Sequence, residues 1–311
     1  MTTSHHGSTD LRVSIGGLEF ANPLMNASGT FATGFEYTDF IDLSRLGALV
    51  TKGVSPVPWS GNAGRRLHET ASGMLNSIGL QNPGVESYVA NELKVIESTA
   101  PDLPVIVNVC GHRISEYAAV IERLESEEGV DAYELNISCP NVDAGGMTLG
   151  TDSDAASEVT RVCRALTKRP LIVKLTPNVT DIAEIACAVE AAGADAVSLI
   201  NTVLGLAIDA RSRKLIFERG VAGLSGPAIK PIALRMVWEV ARALKIPVIG
   251  MGGIASGTDV AEFLLAGATA VAIGTANFSD PRALSIVLDE LCQYCEEQGI
   301  DKITDLIGAL R

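Results

Sequence analysis

The run Glu134-Leu135-Asn136-Ile137-Ser138-Cys139-Pro140-Asn141, followed by Gly145-Gly146, carries the densest chemistry in the chain. A lone cysteine is usually a small buried hydrophobe. Here a thiol lies between Asn136 and Asn141, two amides that packing alone does not call for. A thiol on a glycine-containing loop can sit over a ligand, and it can act as a base if its neighbours bring its pKa towards operating pH.

Further polar residues close apolar runs elsewhere: Ser28, Lys52, Asn108, Asn136, Ser138, Lys174 and Asn201. A buried amide needs hydrogen-bond partners. A ring of them points to a flat polar ligand rather than to packing. Lys174 could instead be a lysine whose stem is buried while its head reaches water. A second signal is glycine. Gly250-Met251-Gly252-Gly253 and Gly274-Thr275-Ala276-Asn277 each end an apolar run, and Ser256, Thr258 and Asp259 can cap the helix that follows the first. Glycines admit close backbone approach to an anion, and helix N-termini aim N–H groups at it. A bound phosphate is the expected ligand. The pattern is not a dinucleotide fingerprint, because G-x-G-x-x-G is incomplete.

Eight short apolar, β-branched runs position these residues: Leu24–Ala27, Ala48–Lys52, Val105–Val109, Tyr133–Ser138, Leu171–Thr176, Val197–Asn201, Val248–Met251 and Val271–Gly274. Mostly helical patterns separate them, which calls for a parallel sheet buried on both faces. The expected fold is α/β, an eight-stranded (β/α)8 TIM barrel. Its loops after strands seven and eight are the usual phosphate site. Odd-numbered strands enter through Pro23, Pro104, Pro170 and Pro247; even-numbered ones enter through Gly47, Gly129, Gly193 and Gly267. Those glycines suit left-handed helix C-caps. The two-strand period fits a duplicated βαβα unit and common loop chemistry equally well. Long insertions, Ser55 to Pro104 and Val203 to Pro247, follow C-terminal strand ends, the face where barrel active sites lie. Leu11–Ile15 and Leu18–Phe20 flank Gly16-Gly17, an N-terminal β-hairpin that should plug the opposite end.

Residues 1–10 read as a disordered extension and 11–311 as one barrel domain, somewhat above the roughly 250 residues usual for this fold. A formal net charge of -13 disfavours nucleic acid as a partner. No apolar run approaches the ~20 residues of a membrane span. Six scattered cysteines suggest reduced thiols and a cytoplasmic protein, with Cys292 and Cys295 as two plain thiols on the last helix and no metal site.

These residues together resemble class 1 dihydroorotate dehydrogenases, from about Leu11 to the C-terminus. The resemblance rests on Ala27-Ser28-Gly29, Asn76 to Gly84, Asn136 to Asn141, Lys174 to Asn178, Ile200-Asn201-Thr202, Gly223 to Pro227 and Gly250 to Ile254. Cysteine at 139 is the class 1 residue, where membrane-associated class 2 enzymes place serine. Asn141 to Gly146 and Gly274 to Phe278 look more like subclass 1B than 1A. The resemblance implies FMN held by Ser28, Lys52, Gly53, Asn108, Asn136, Lys174, Ile200, Gly226, Gly252, Gly253, Gly274 and Thr275. It implies dihydroorotate or orotate held by Lys52, Asn76, Ser77, Ile78, Gly79, Leu80, Asn136, Asn141, Asn201 and Thr202, with Cys139 as catalytic base. It further implies a homodimer flanked by partner subunits that carry FAD and a [2Fe–2S] cluster and pass electrons to NAD+. Gly53-Val54-Ser55 and Trp59 to Arg66 depart from the family's usual pattern, so the shape of the loop after strand two is not implied. Competing readings are a fumarate-dependent 1A-like enzyme, a dihydropyrimidine dehydrogenase-like FMN barrel, and an FMN-free phosphate-binding isomerase or lyase. The last explains the glycines but not Asn76, Asn136, Asn141 and Asn201.

Overall fold

Eight parallel strands form the centre of the molecule in a computed structural model that describes residues 9–138 and 149–311. They are Leu24–Asn26, Leu49–Val50, Val105–Val109, Ala132–Asn136, Leu171–Lys174, Ala196–Leu199, Val248–Met251 and Ala270–Ile273. Each expected run overlaps one of them, and the fourth, sixth and eighth strands begin one residue earlier, at Ala132, Ala196 and Ala270. Going round the sheet, the first strand is followed by the eighth, and the order then descends to the second. A parallel bridge between Met25 and Ala48 brings the second strand back to the first, so the sheet closes as a (β/α)8 barrel.

That last seam has little backbone ladder, and a side chain supplements it. The fully buried amide of Asn26 accepts from Val50 N–H at 2.9 Å and donates to Val50 C=O at 2.6 Å. The amide thus takes the place of a ladder pair.

Helices cover the outside because their sequences carry one apolar stripe each. Ser153–Leu166 buries Ala156, Val159, Thr160 and Cys163, at i, i+3, i+4 and i+7, and starts where the Asp152 carboxylate accepts from Ala155 N–H. Ile182–Ala191 starts in the same way on Asp181. The first crossover has no α-helix of its own; two short 3-10 turns, Phe35–Tyr37 and Leu43–Arg45, span it. Of the four glycines that enter even-numbered strands, Gly129, Gly193 and Gly267 are left-handed as expected. Gly47 is not: a Cβ there would stand 2.1 Å from Asn22 O, so close backbone approach is what requires glycine.

The N-terminal hairpin pairs Val13–Ile15 with Leu18–Phe20. Its turn packs on the N-terminal ends of strands five and six, where a Cβ on Gly16 would lie 2.9 Å from Pro170 Cβ and 3.1 Å from Asp195 Cβ. The hairpin therefore closes the end opposite the polar residues. Thr9 and Asp10, placed in the extension on sequence grounds, instead bond to the C-terminal segment. Thr9 donates to Ile300 O, and Asp10 pairs with Lys302.

The two insertions do something that local sequence patterning does not indicate: they pair with each other. Val203–Leu206, Val221–Ser225, Gly73–Asn76 and Leu67–Thr70, in that order, form a four-stranded antiparallel sheet that contributes to the cavity at the C-terminal face. Its middle strands come unusually close, since a Cβ on Gly73 would stand 2.1 Å from Ser225 O. The loop after strand two is tied down as well. Trp59 pairs with Asn82 through the backbone and stacks on His112 at 4.2 Å.

Replacing Asn26 by leucine keeps the volume but strands both Val50 backbone groups. The expected loss of stability is about 2–6 kcal/mol, because each of the two unpaired buried groups costs on the order of 1–3 kcal/mol. A urea unfolding midpoint equal to that of the parent chain would show that the seam does not depend on this amide.

Candidate active site

A cavity of about 1190 Å³ opens at the C-terminal face, above the range of roughly 300–1000 Å³ usual for small-ligand pockets. Every flavin- or substrate-binding residue expected from sequence lines it, apart from Asn141, which with Cys139 lies outside the described residues. Lys52, Ser138 and Asn201 lie just past the last ladder residue of their strands, where the chain leaves the sheet and side chains can turn inward. The strands were thus expected one or two residues too long at this end.

One wall is a hydrogen-bond chain with a single direction. Asn201 Nδ2 donates to Ser138 Oγ, and Ser138 Oγ donates to Asn136 Oδ1 at 2.6 Å. Asn136 Nδ2 reaches Asn108 Oδ1 at a long 3.5 Å, and Asn108 Nδ2 donates to Glu134 Oε2 at 2.6 Å. The other carboxylate oxygen, Glu134 Oε1, accepts from Ser198 Oγ at 2.7 Å. Neighbours in a parallel ladder share a face, so the registers Asn108–Glu134, Asn136–Lys174 and Lys174–Ser198 put this set on one side of the sheet.

Lys174 sits among them at 5% side-chain exposure. Its Nζ lies 3.8 Å from Glu134 Oε2 and donates to Ser28 Oγ at 3.1 Å. A charge this deep requires compensation, and Glu134 supplies it. A snorkelling lysine would have a solvated head, which this one has not. The second lysine, Lys52, places its ammonium beside Gly29, 3.3 Å from where a Cβ would stand.

The opposite wall is built of backbone. A Cβ on Gly253 would lie 2.9 Å from both Gly226 O and Lys230 N, and one on Gly252 would lie 2.7 Å from Ala233 Cβ. Gly226 leads through Pro227–Ile229 into the helix Lys230–Ala243, so the start of that helix faces the glycines. The helix after strand seven, Gly257–Leu265, has its first donors engaged already. Ser256 Oγ accepts from Asp259 N–H, and Glu290 accepts from Gly257 N–H. Thr275 Oγ1 donates to Ser225 Oγ at 2.8 Å and ties strand eight to the insertion sheet.

A salt-bridge clamp holds this wall. Lys230 Nζ bonds Asp259 Oδ1 at 2.6 Å and Glu262 Oε2 at 2.7 Å, while Asp259 Oδ2 accepts from Ala255 N–H. Burial alone would raise the Asp259 carboxyl. The Lys230 ammonium, Ala255 N–H and Ser256 hydroxyl more than offset it and hold Asp259 below the usual carboxylate range.

Asn76 reaches over the cavity from the insertion sheet and donates to Gly223 O at 3.2 Å. Ser77 to Leu80 are anchored by Asn62, which donates to Ser77 O and Ser77 Oγ and accepts from Arg219 at 2.8 Å. Leu80 is held left-handed at φ 50, with its carbonyl on Asn82 Nδ2.

Sequence reasoning gave no role to Glu134, Ser198, Asn62 or Arg219. Glu134 stood in the segment singled out, and a charge in an otherwise apolar strand was the available signal. Cys292 and Cys295 lie on the helix Ala283–Gln298; burial pushes both thiols up, Cys295 to about 11. No metal-binding cluster occurs among the described residues.

The polar wall can present donors and acceptors to a flat heterocycle. The glycine wall can receive an anionic group, and the lysines can balance negative charge. The cavity is large enough for a flat ring system with an anionic tail and for a second ring beside it.

The family model for dihydroorotate dehydrogenase matches residues 10–294. Curated relatives named dihydroorotate dehydrogenase B (NAD(+)), catalytic subunit, are similar over almost the whole chain. The protein of Alkaliphilus oremlandii is 53% identical, over 97% of this chain and 99% of the relative. That of Geotalea uraniireducens is 51% identical over 98% and 99%, and that of Lachnoclostridium phytofermentans 52% over 96% and 99%.

Because the Asp259 pKa is lowered on folding, the stability it adds is present above the unfolded value of about 3.9. That stability is lost as pH falls through the lower folded value. Asp259→Asn should therefore cost about 1.5–3 kcal/mol at pH 7, the usual worth of a charged hydrogen bond. The gap in melting temperature between variant and parent should narrow below about pH 4. A gap that does not change with pH would show that the clamp does not act through the carboxylate's charge.

Proposed function

The chain belongs to the dihydroorotate dehydrogenase family, and from that premise we propose that it oxidises dihydroorotate to orotate in pyrimidine synthesis with one non-covalent FMN. It is an oxidoreductase by family. The observation that carries the reading is the opposition of the two walls: directed amides with a buried lysine on one side, and a glycine cradle on the other.

In this proposal Gly226, Gly252, Gly253, Gly274 and Thr275 hold the FMN phosphate, with Ile200 and Gly53 against the flavin. Ser28, Lys52, Asn108 and Asn136 complete its binding. Bound FMN would supply the acceptor for the hydride that leaves C6 of the substrate. Lys174 offers a cation where negative charge collects when a flavin is reduced. Asn76, Asn136, Asn141, Asn201 and Thr202 match the carbonyl and N–H edges of the pyrimidine ring, because each asparagine offers both a donor and an acceptor. Ser77 to Leu80 contribute the loop above the ring, and Lys52 takes its carboxylate. Cys139 removes the C5 proton. The insertion sheet limits the access of water.

The relatives' printed names include both "catalytic subunit" and NAD(+). We extend this to the subclass 1B arrangement: a homodimer of this chain with two partner subunits that carry FAD and a [2Fe–2S] cluster and deliver electrons to NAD+. No described helix is long and apolar enough to cross a membrane. A cytoplasmic location is part of this proposal.

Purified protein should be yellow and should bleach anaerobically with dihydroorotate. Gly253→Val should release the flavin, since a side chain there meets Gly226 O and Lys230 N. Extraction of FAD, or of no flavin, from the native chain sinks the cofactor assignment.

Cys139→Ala should keep FMN and orotate binding yet slow flavin bleaching by about 10²–10⁴-fold, the usual contribution of a positioned base. Cys139→Ser should recover partly as pH rises. Near-normal bleaching by the alanine variant would remove Cys139 from the chemistry.

The isolated chain should reduce artificial dyes with dihydroorotate but NAD+ only slowly, and co-expression with the partner should restore NAD+ reduction. Fast NAD+ reduction by the chain alone, or turnover with fumarate as fast as that of the complex, would overturn the subclass.

A further inference from the structure

Glu134 has no part in the scheme above, yet it ends the hydrogen-bond chain that runs along the polar wall. A carboxylate only accepts hydrogen bonds, whereas each amide can present either end. Glu134 Oε2 therefore obliges Asn108 to turn its NH2 inward. Asn108 Oδ1 is then left to accept from Asn136 Nδ2, and Asn136 Oδ1 to accept from Ser138 Oγ. Ser138 Oγ in turn accepts from Asn201 Nδ2, and Asn201 Oδ1 accepts from Thr202 N–H at 2.7 Å. One buried anion thus sets the polarity of three amides that face the cavity. Among the described residues, Glu134 is also the anion paired with Lys174, at 3.8 Å, with both side chains at most 5% exposed.

We propose that Glu134 is a positioning residue with two effects. It fixes which end each amide of the wall shows to the ligand, and it offsets the Lys174 charge so that the field on the bound cofactor is moderated. The proposal rests on the FMN reading above for its second effect only. Removing the anion while keeping the cation leaves more positive charge beside the flavin, and this favours the reduced, more negative form. Removing it also frees Asn108 to turn over, which unsets the amides that meet the substrate.

Glu134→Gln is the nearly isosteric test, read on the FMN-loaded protein by an anaerobic titration of the flavin midpoint potential and by orotate binding to the oxidised form. The expected result is a positive shift of the potential, opposite in sign to the shift for Lys174→Met, with orotate bound roughly tenfold more weakly, about one hydrogen bond's worth. A potential that is unchanged or lowered in FMN-loaded Glu134→Gln overturns the proposal, whatever happens to activity.

A lone buried cation is strongly destabilising, so Glu134→Gln can fail to fold. The double variant Glu134→Gln with Lys174→Met removes both charges and should fold; its potential should then lie above that of Lys174→Met alone. Equal potentials in those two proteins overturn the proposal. Absence of flavin from the native chain defeats the cofactor reading instead. In that case thermal melting of the flavin-free proteins decides the pairing: a double variant more stable than the sum of the single losses supports it, and additive losses reject it.

Discussion

An ammonium held among barrel strands with 5% of its side chain exposed is the constraint from which much of the site follows. A charge at that depth is destabilising unless an anion and neutral acceptors surround it. A closed parallel barrel provides them at low entropic cost, because ladder neighbours project at the same height on the same face. Asn136 and Ser198 flank Lys174 in this way. Glu134, two residues before Asn136 on strand four, shares that face one step deeper. The polar wall is therefore a product of strand register more than of loop conformation.

The same barrel treats its other half differently. Strands seven and eight carry Gly250, Ala270 and Ala272, and a Cβ on Gly250 would stand 2.5 Å from Phe263 Cδ1. Gly250 lets the covering helix Gly257–Leu265 pack close, whereas Ala270 and Ala272 lie on the opposite face, where Ala272 lines the cavity. The chain then leaves the sheet as bare backbone at Gly252-Gly253 and Gly274. Side-chain hydrogen bonds concentrate on strands three to six, and backbone close approach on seven and eight. A ligand with a polar ring at one end and an anion at the other matches that asymmetry.

Much of this was legible in the sequence, and the parts that were not share a cause. The barrel strands are locally coded, as apolar runs entered through proline or glycine, and all eight lie where the sequence places them. Local coding does not reach the pairing of Gly73–Asn76 with Val221–Ser225, because nearly 150 residues separate them and each run is short. Gly47 reads like the other helix-ending glycines, yet the reason for it is Asn22 O, which sequence spacing does not show. Asn26 reads as the polar end of a strand, but it is the clasp of the barrel seam. The family resemblance brought together the residues that now line one cavity. Glu134 needed coordinates, because its importance lies in which partners it orients. Cys139 and Asn141 lie outside the described residues, so the resemblance alone supports their roles.

Net charge is a poor guide to the field inside such a site. The chain carries a formal -13, and at long range that opposes anions, as the sequence-based exclusion of nucleic acid assumed. Solvent and salt screen exposed charges beyond about 8 Å at physiological ionic strength, whereas charges within a low-dielectric cavity act on each other with little screening. The charged side chains lining the described cavity are Lys52, Lys174, Arg219 and Asp280, and Arg282 pairs with Asp280 at 2.9 Å. Cations thus predominate among the charged side chains of the described cavity, while the acidic surface is kept outside. An extended polyanion must meet that surface, but a small anion that fits the cavity need not. The separation depends on the insertion sheet beside the cavity and on the Glu134 carboxylate beneath Lys174, which lets a buried cation persist without a counterion from solvent.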